Sequence, residues 1–92
     1  MKGGLNLDIP KTIFANEKFS RRLDVILEEL IELEEAVNNN TNIAEEAADI
    51  IIASYQVFYK LGYNNEQIED TFKYTNKKNA LRGYYENNKR YI

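Results

Sequence analysis

One acid-and-apolar pattern occurs twice in the chain and restricts its fold more than any other feature. Residues 28–33 read Glu-Glu-Leu-Ile-Glu-Leu, and residues 45–50 read Glu-Glu-Ala-Ala-Asp-Ile. Around each copy, apolar residues recur at spacings of three and four, which is typical of a helix packed along another helix. The first series is Leu23, Ile26, Leu30, Leu33 and Val37, and the second, which includes one serine, is Ile43, Ala47, Ile50, Ser54, Val57 and Leu61. The pattern therefore predicts two amphipathic helices.

Two acids of each copy lie beside the apolar series of their helix, on equivalent flanks. They are Glu29 and Glu32 in the first copy and Glu46 and Asp49 in the second. An i,i+3 spacing puts both carboxylates of a pair on one helix face. If the helices fold back antiparallel, Glu32 faces Glu46 and Glu29 faces Asp49. Four carboxylates gathered in this way repel one another unless they are protonated or bind cations, so the spacing predicts a metal site.

The size and composition of the chain favour one small domain over residues 1–92. Ninety-two residues can bury only a modest core, so association with a second copy is a natural way to bury more apolar surface. The absence of cysteine excludes a disulfide framework and fits a cytoplasmic location. We find neither the apolar run of a signal peptide nor a membrane span of roughly 20 apolar residues, so we expect no membrane partner.

The net charge of -3 hides a strong asymmetry along the chain. Residues 24–59 contain nine acids and no Lys or Arg, whereas residues 73–92 contain six bases and one acid, Glu86. One interpretation is two solvated faces of opposite sign. The other is a cation site beside an anion-binding arm. The basic tail could bind nucleic acid electrostatically, but the acidic centre argues against a broad duplex footprint, and we expect no nucleic-acid partner.

Capping and breaking signals predict three helices and no strand. We expect the first helix over residues 17–38 with Asn16 as its cap, and the second up to Leu61, opened by an Asn42–Glu45 capping box. Gly62 then supplies a left-handed residue. The third helix should begin after Asn64 or Asn65 and run to about Arg82, where Gly83 ends it.

The chain ends add little to this all-α fold. We expect residues 1–15 to be a mobile or short-helical lead-in, with a possible helical turn from Pro10 to Phe14, and residues 84–92 to be a C-terminal tail. The expected architecture is an antiparallel helical hairpin plus a third helix. Leu27, Ile31, Ile51, Ile52, Tyr55 and Phe58 broaden the apolar surface beyond the two series. We therefore expect a homodimer at least, with a four-helix-bundle-type core.

Residues 17–82 resemble the MazG-like all-α nucleoside triphosphate pyrophosphohydrolases. The resemblance rests on the paired signatures Glu-x-x-Glu, at Glu29 and Glu32, and Glu-x-x-Asp, at Glu46 and Asp49, together with their spacing. It implies a Mg²⁺-dependent enzyme that cleaves a nucleoside triphosphate to the monophosphate and pyrophosphate, with these four acids holding the metal. It also implies a dimer of helical hairpins, sometimes paired into a tetramer.

The resemblance further implies that a basic and amide segment of the third helix meets the substrate phosphates. The matching residues here are Lys73, Asn76 and Lys77, which share one helical face, and Arg82 farther along. Lys73 and Lys77 are equally well explained as ordinary surface charges. Several aromatic residues could stack a base, but their helical spacing favours core or interface positions for most of them, and we assign none to the site; they are Tyr55, Phe58, Tyr59, Phe72, Tyr74, Tyr84 and Tyr85.

The residue types suit this chemistry without reference to a family. Mg²⁺ prefers oxygen ligands and commonly bridges carboxylates to phosphates, and Mn²⁺ accepts similar ligands. A bound cation lowers the pKa of a water molecule, so neither a histidine nor a cysteine nucleophile is needed. The main alternative is a non-catalytic acidic helical interaction module, in which the acids form solvated helix faces. A di-iron or di-manganese carboxylate bundle normally needs Glu-x-x-His motifs, and the chain contains no histidine.

Overall fold

The computed structural model describes residues 7–92, and every described regular element is helical. In chain order these are α1 (Phe19–Asn39), α2 (Ile43–Lys60), α3 (Asn65–Leu81) and a 3-10 helix (Asn88–Tyr91). The predicted all-α class is confirmed. Within residues 7–92, no helix combines the length and the apolar character needed to cross a bilayer. The part of the predicted lead-in that falls on residues 1–6 lies outside the described residues.

The chain divides into two compact units, which we describe separately. The first unit is Met1–Leu61, in which α1 and α2 pack against each other. The second unit is Gly62–Ile92, in which the 3-10 helix packs against α3. The proposed site is built in the first unit, and the basic segment of the prediction lies in the second.

The predicted caps of the first two helices are wrong. Asn16 lies in a turn that precedes α1, and Lys18 occupies the N-cap without a side-chain hydrogen bond. Asn42 precedes α2 but has a left-handed backbone (φ 51°) and makes no side-chain cap bond, so the expected box with Glu45 is absent. A capping side chain acts from a non-helical, typically extended backbone. Asn40 and Asn42 instead have positive φ, which asparagine adopts more readily than most residues, and the chain turns there between α1 and α2.

The predicted boundaries around α3 are confirmed. Gly62 has φ +76°, as expected for the left-handed residue after a helix. The Asn64 side chain accepts a hydrogen bond from the Gln67 backbone N–H, and the Gln67 side chain accepts one from the Asn64 N–H, both at 2.8 Å. At the other end, Gly83 has φ +77° and donates its N–H to the Ala80 carbonyl at 2.9 Å, which ends α3.

The inner face of α1 follows the predicted apolar series only in part: Ile26 and Leu33 of that series are half-buried. Arg22 and Ala36 are buried and Glu29 is half-buried, so this face follows a seven-residue spacing. Leu23 and Leu30, assigned to the series, are 57% and 53% exposed. The difference arises because α1 carries apolar residues on two sides. Periodicity identifies both stripes but does not show which one contacts α2.

A buried glutamine fastens the segment before α1 to α2. Gln56 is 0% exposed; its Oε1 accepts the backbone N–H of Thr12 at 2.9 Å, and its Nε2 donates to the carbonyl of Pro10 at 3.0 Å. The Tyr59 hydroxyl donates to the carbonyl of Ile9 at 2.7 Å. No helical turn begins at Pro10; residues 7–12 are irregular, and a turn follows at residues 13–16. The hydrogen bonds place this segment against the same helix that carries Glu46 and Asp49.

Candidate metal centre

Three of the four predicted acids converge in the first unit. Glu29 of α1 and Glu46 and Asp49 of α2 each offer a carboxylate oxygen, and these oxygens lie within 4.8 Å of one another. The α2 pair shares a face because its members are three residues apart. The third carboxylate comes from the half-buried inner face of α1, which packs against α2. We call these three residues the acid cluster.

The acid cluster fits a divalent cation with oxygen ligands. Bonds from Mg²⁺ to oxygen are about 2.1 Å long, so two ligands on opposite sides of the ion lie about 4.2 Å apart. The oxygens of the acid cluster lie within 4.8 Å of one another, which is comparable with this span. In addition, Glu29 Oε2 and Glu46 Oε2 are buried and have no hydrogen-bond partner. Buried polar atoms are normally paired, so a cation would satisfy two otherwise costly oxygens.

Burial and mutual repulsion make two of these carboxylates reluctant to ionise. Desolvation raises the pKa of Glu29 above its ordinary value, and the neighbouring charges of Glu32, Asp49, Glu46 and Glu28 raise it further. Desolvation also raises the pKa of Glu46, followed by the charges of Glu32, Asp49 and Glu45. A bound cation would reverse both effects by favouring the charged form.

Glu32, the fourth predicted acid, is placed near the acid cluster but outside it. Its side chain is exposed and it does not belong to the group of oxygens within 4.8 Å. Its charge nevertheless raises the pKa of both Glu29 and Glu46. The position suits an outer ligand or a residue that acts through water, and its role as a direct ligand stays a prediction.

A cavity of about 340 Å³ extends from the acid cluster to the segment before α1. It is lined by Thr12, Phe14, Arg21, Arg22, Val25, Glu29, Asp49, Ile52, Ala53 and Gln56. Sequence reasoning missed Thr12, Arg22 and Gln56 as site residues. Only Arg22 left a usable signal, because it precedes Glu29 by seven residues and therefore shares its helix face. The other two were hidden because their positions depend on how the segment before α1 folds back.

The predicted phosphate-binding residues lie in the second unit, where their side chains have different surroundings. Lys73 forms an exposed ion pair with Glu69 at 3.9 Å. Asn76 accepts a hydrogen bond from the Tyr85 hydroxyl at 2.7 Å. Lys77 and Arg82 both line a separate cavity of about 460 Å³, together with Tyr74, Lys78 and Leu81.

The aromatic residues of α2 pack on one another and do not line the cavity beside the acid cluster. The ring of Tyr55 makes edge contacts with Phe58 and Tyr59, with centroid distances of 5.3 and 5.7 Å. Among the residues that line this cavity, Phe14 is the aromatic one. Phe14 lies in the turn that precedes α1.

Comparison with known proteins identifies the family. The family model of phosphoribosyl-ATP pyrophosphohydrolase matches residues 4–79, which includes all three helices apart from the last two residues of α3. No curated protein and no solved structure matches the chain. The match covers most of the sequence and contains both acidic signatures. The chain therefore belongs to the phosphoribosyl-ATP pyrophosphohydrolase family, an all-α family related to the MazG-like nucleotide pyrophosphohydrolases, as the resemblance predicted.

Proposed function

We propose that the protein is a Mg²⁺-dependent pyrophosphohydrolase that hydrolyses a nucleoside triphosphate, or a derivative of one, to the corresponding monophosphate and pyrophosphate. The observation that carries the proposal is the acid cluster, in which two buried carboxylate oxygens have no protein partner. Membership of a pyrophosphohydrolase family supports the reaction type. We also expect a cytoplasmic location and Mn²⁺ as a possible substitute metal.

The reaction needs a cation, a water molecule and a triphosphate. Water attacks phosphorus, the anhydride bond between the α- and β-phosphates breaks, and pyrophosphate leaves with the bridging oxygen. A bound Mg²⁺ supplies charge neutralisation and a more acidic water. Glu29, Glu46 and Asp49 would hold the cation, with Glu32 as the predicted fourth acid. Lys73, Asn76, Lys77 and Arg82 remain the proposed phosphate donors of the second unit.

Two kinds of substrate contain the required triphosphate. Canonical ribo- and deoxyribonucleoside triphosphates form one kind, and phosphoribosyl-ATP, the compound in the family's name, is the other. Hydrolysis of either kind releases pyrophosphate; phosphoribosyl-ATP carries an additional phosphoribosyl group, and the (d)NTPs differ among themselves in base and sugar. We therefore rank phosphoribosyl-ATP first in a substrate panel and the (d)NTPs next.

A product assay on this panel tests the function. The parent protein should release pyrophosphate and monophosphate from at least one substrate with Mg²⁺ and not with chelator. Glu46→Gln should lower the rate at least about a hundredfold, because it removes a charged metal ligand and lowers metal affinity. Glu34→Gln removes one exposed acid from α1 and serves as the matched control, with a rate close to the parent.

Two outcomes would contradict this function. Absence of Mg²⁺-dependent pyrophosphate release from every substrate would favour the acidic helical interaction module. Equal turnover by Glu46→Gln and the parent would remove the acid cluster from the reaction.

A further inference from the structure

Four buried side-chain atoms within residues 7–92 lack any hydrogen-bond partner, and they gather in one region. They are Thr12 Oγ1, Arg22 Nε, Glu29 Oε2 and Glu46 Oε2. The first three belong to residues that line the 340 Å³ cavity, and the fourth belongs to the acid cluster at its edge. The acid cluster accounts for the two oxygens as metal ligands. It does not account for the guanidinium or the hydroxyl.

Arg22 is the more unusual of the two remaining groups. Its side chain lines the cavity, it is only 4% exposed, and among the described residues it makes no ion pair. Burying the positively charged guanidinium away from water costs free energy. A buried charge of this kind is normally paired with an anion. Glu29 and Asp49 line the same cavity, but neither lies within ion-pair distance of it.

Arg21, the neighbouring arginine of the same helix, differs from Arg22 because it forms ion pairs. Arg21 is 52% exposed in its side chain and pairs with Glu17 at 3.5 Å and with Glu28 at 3.9 Å. Its charge is therefore balanced at the surface by acids of the chain. The buried arginine is left unbalanced, although it needs a partner more.

We propose that the cavity is an anion subsite in which Arg22 and Thr12 bind a phosphate group of the substrate beside the acid cluster. Arginine presents a planar fork of donors that matches phosphate oxygens, and a hydroxyl adds one further donor. The inference rests on the proposed function, because it names a binding residue of that site. It also moves one phosphate contact from α3 to α1, seven residues before Glu29.

The surroundings of the cavity fit this occupant. Its volume of about 340 Å³ lies at the small end of the usual range for small-molecule sites, roughly 300–1,000 Å³. Gln56 holds the backbone of Thr12 in place through its 2.9 Å hydrogen bond. A phosphate in the cavity would lie between a fixed cation, Arg22, and a metal ion on Glu29 and Asp49. Phosphates commonly bridge to Mg²⁺ in this way.

Calorimetric titration of pyrophosphate into the full chain, with saturating Mg²⁺, tests the subsite. Arg22→Gln should bind pyrophosphate at least about tenfold more weakly than the parent, because a charge-assisted hydrogen bond is lost. Arg22→Lys keeps the charge but not the fork and should fall between them. Lys18→Gln removes one exposed positive charge next to α1 and is the matched control, with affinity within about twofold of the parent.

Thermal melting without metal or anion separates binding from folding. An unpaired buried charge destabilises the fold, so Arg22→Gln should melt at or above the parent temperature. If Arg22→Gln melts below the parent because packing of the arginine stem is lost, Thr12→Val decides whether the cavity binds pyrophosphate. Thr12→Val keeps the side-chain shape and provides a second variant, which should weaken pyrophosphate binding about threefold or more.

Two results would overturn the subsite and leave the proposed function standing. The first is pyrophosphate affinity within twofold of the parent in both Arg22→Gln and Thr12→Val. The second is no pyrophosphate binding by a parent protein that still turns over nucleotide with Mg²⁺. Loss of Mg²⁺-dependent turnover in the parent itself would instead refute the function, so the two failures are distinguishable.

Discussion

Glu29 and Glu46 lie where their negative charge is disfavoured, and this links metal binding to stability. Both have a pKa raised above the ordinary value of 4.5, by desolvation and by neighbouring acids. A group whose pKa is raised in the folded state stabilises the fold below its ordinary pKa. That contribution is lost as the pH rises through the folded-state value. At neutral pH the metal-free acid cluster therefore opposes folding.

The pH dependence of metal-free stability follows from this sign. We expect Glu46→Gln to melt above the parent in chelator at neutral pH, because it removes one of the repelling charges. The difference should shrink as the pH falls towards 4.5, where the parent glutamate becomes protonated. Thermal melts of both proteins between pH 4 and 8 measure it, and Glu34→Gln controls for the loss of an exposed acid. If the difference in melting temperature between Glu46→Gln and the parent did not change with pH, the negative charge of Glu46 would not be what destabilises the metal-free protein.

Individual residues also show how far sequence reasoning reaches. Glu29, Glu46 and Asp49 were found because helical spacing alone brings two of them together and a second helix supplies the third. Arg22 was missed because a charged residue does not fit an apolar series and was therefore left out of the predicted buried face. Its seven-residue spacing from Glu29 places it on the same helix face, but its burial depends on the packing of α1 against α2, which the spacing alone does not show.

At the scale of helices, the existence and type of each element were predictable, and the details of their ends were less so. The three predicted helices are present, and α3 carries the expected asparagine cap. The caps of α1 and α2 failed because a side chain caps only when its own backbone has a suitable conformation. Asn42 has a left-handed backbone instead, which the residue type permits but does not require.

The role of α3 in phosphate binding is a prediction at this scale. Lys77→Ala and Arg82→Ala should each lower catalytic efficiency up to about tenfold without loss of folding or metal binding, because both side chains line one cavity. Lys73→Ala should have a smaller effect, since Lys73 already pairs with Glu69 at the surface. Steady-state kinetics combined with Mg²⁺ titration measures this.

Lys89→Ala, in the 3-10 helix, is the matched control for α3, because it removes one exposed base from the same unit. If all the α3 variants behave like this control, the basic face of α3 is a solvated surface. The phosphate donors would then lie in the first unit or on a second subunit.

At the scale of the whole molecule, α1 carries apolar side chains that the first unit leaves exposed. One side of α1 presents Leu23, Leu27 and Ile31, each at least 56% exposed, while its opposite side packs in the first unit. Phe19 and Leu30 widen this stripe. Contiguous apolar surface on a small protein usually marks an interface. We propose that the stripe is covered by a second copy of the chain, in a homodimer that could pair again into a tetramer.

Sedimentation at micromolar concentrations tests the assembly. The parent should sediment as a dimer or a larger symmetric species. The double variant Leu23→Lys/Leu27→Lys should sediment as a monomer. It should remain helical, since neither side chain is buried in the single chain. Glu35→Lys, at an exposed polar position of α1, is the control for an added lysine. A compact parent monomer would contradict the homodimer. The excess of apolar residues in the sequence was enough to predict association. Only the structure shows which side of α1 is exposed.

The hydrogen bonds of Gln56 set a lower limit on the length of a working fragment. A protein that began at Phe19 would contain all four acids and both helices of the first unit. It would lack the backbone N–H of Thr12 and the carbonyl of Pro10, the two groups outside α2 that hold the Gln56 side chain. The amide would then keep one hydrogen bond, to Ile52, and the cavity would lose one wall. Fragments meant to retain the cavity must therefore begin before Pro10, well ahead of the first helix.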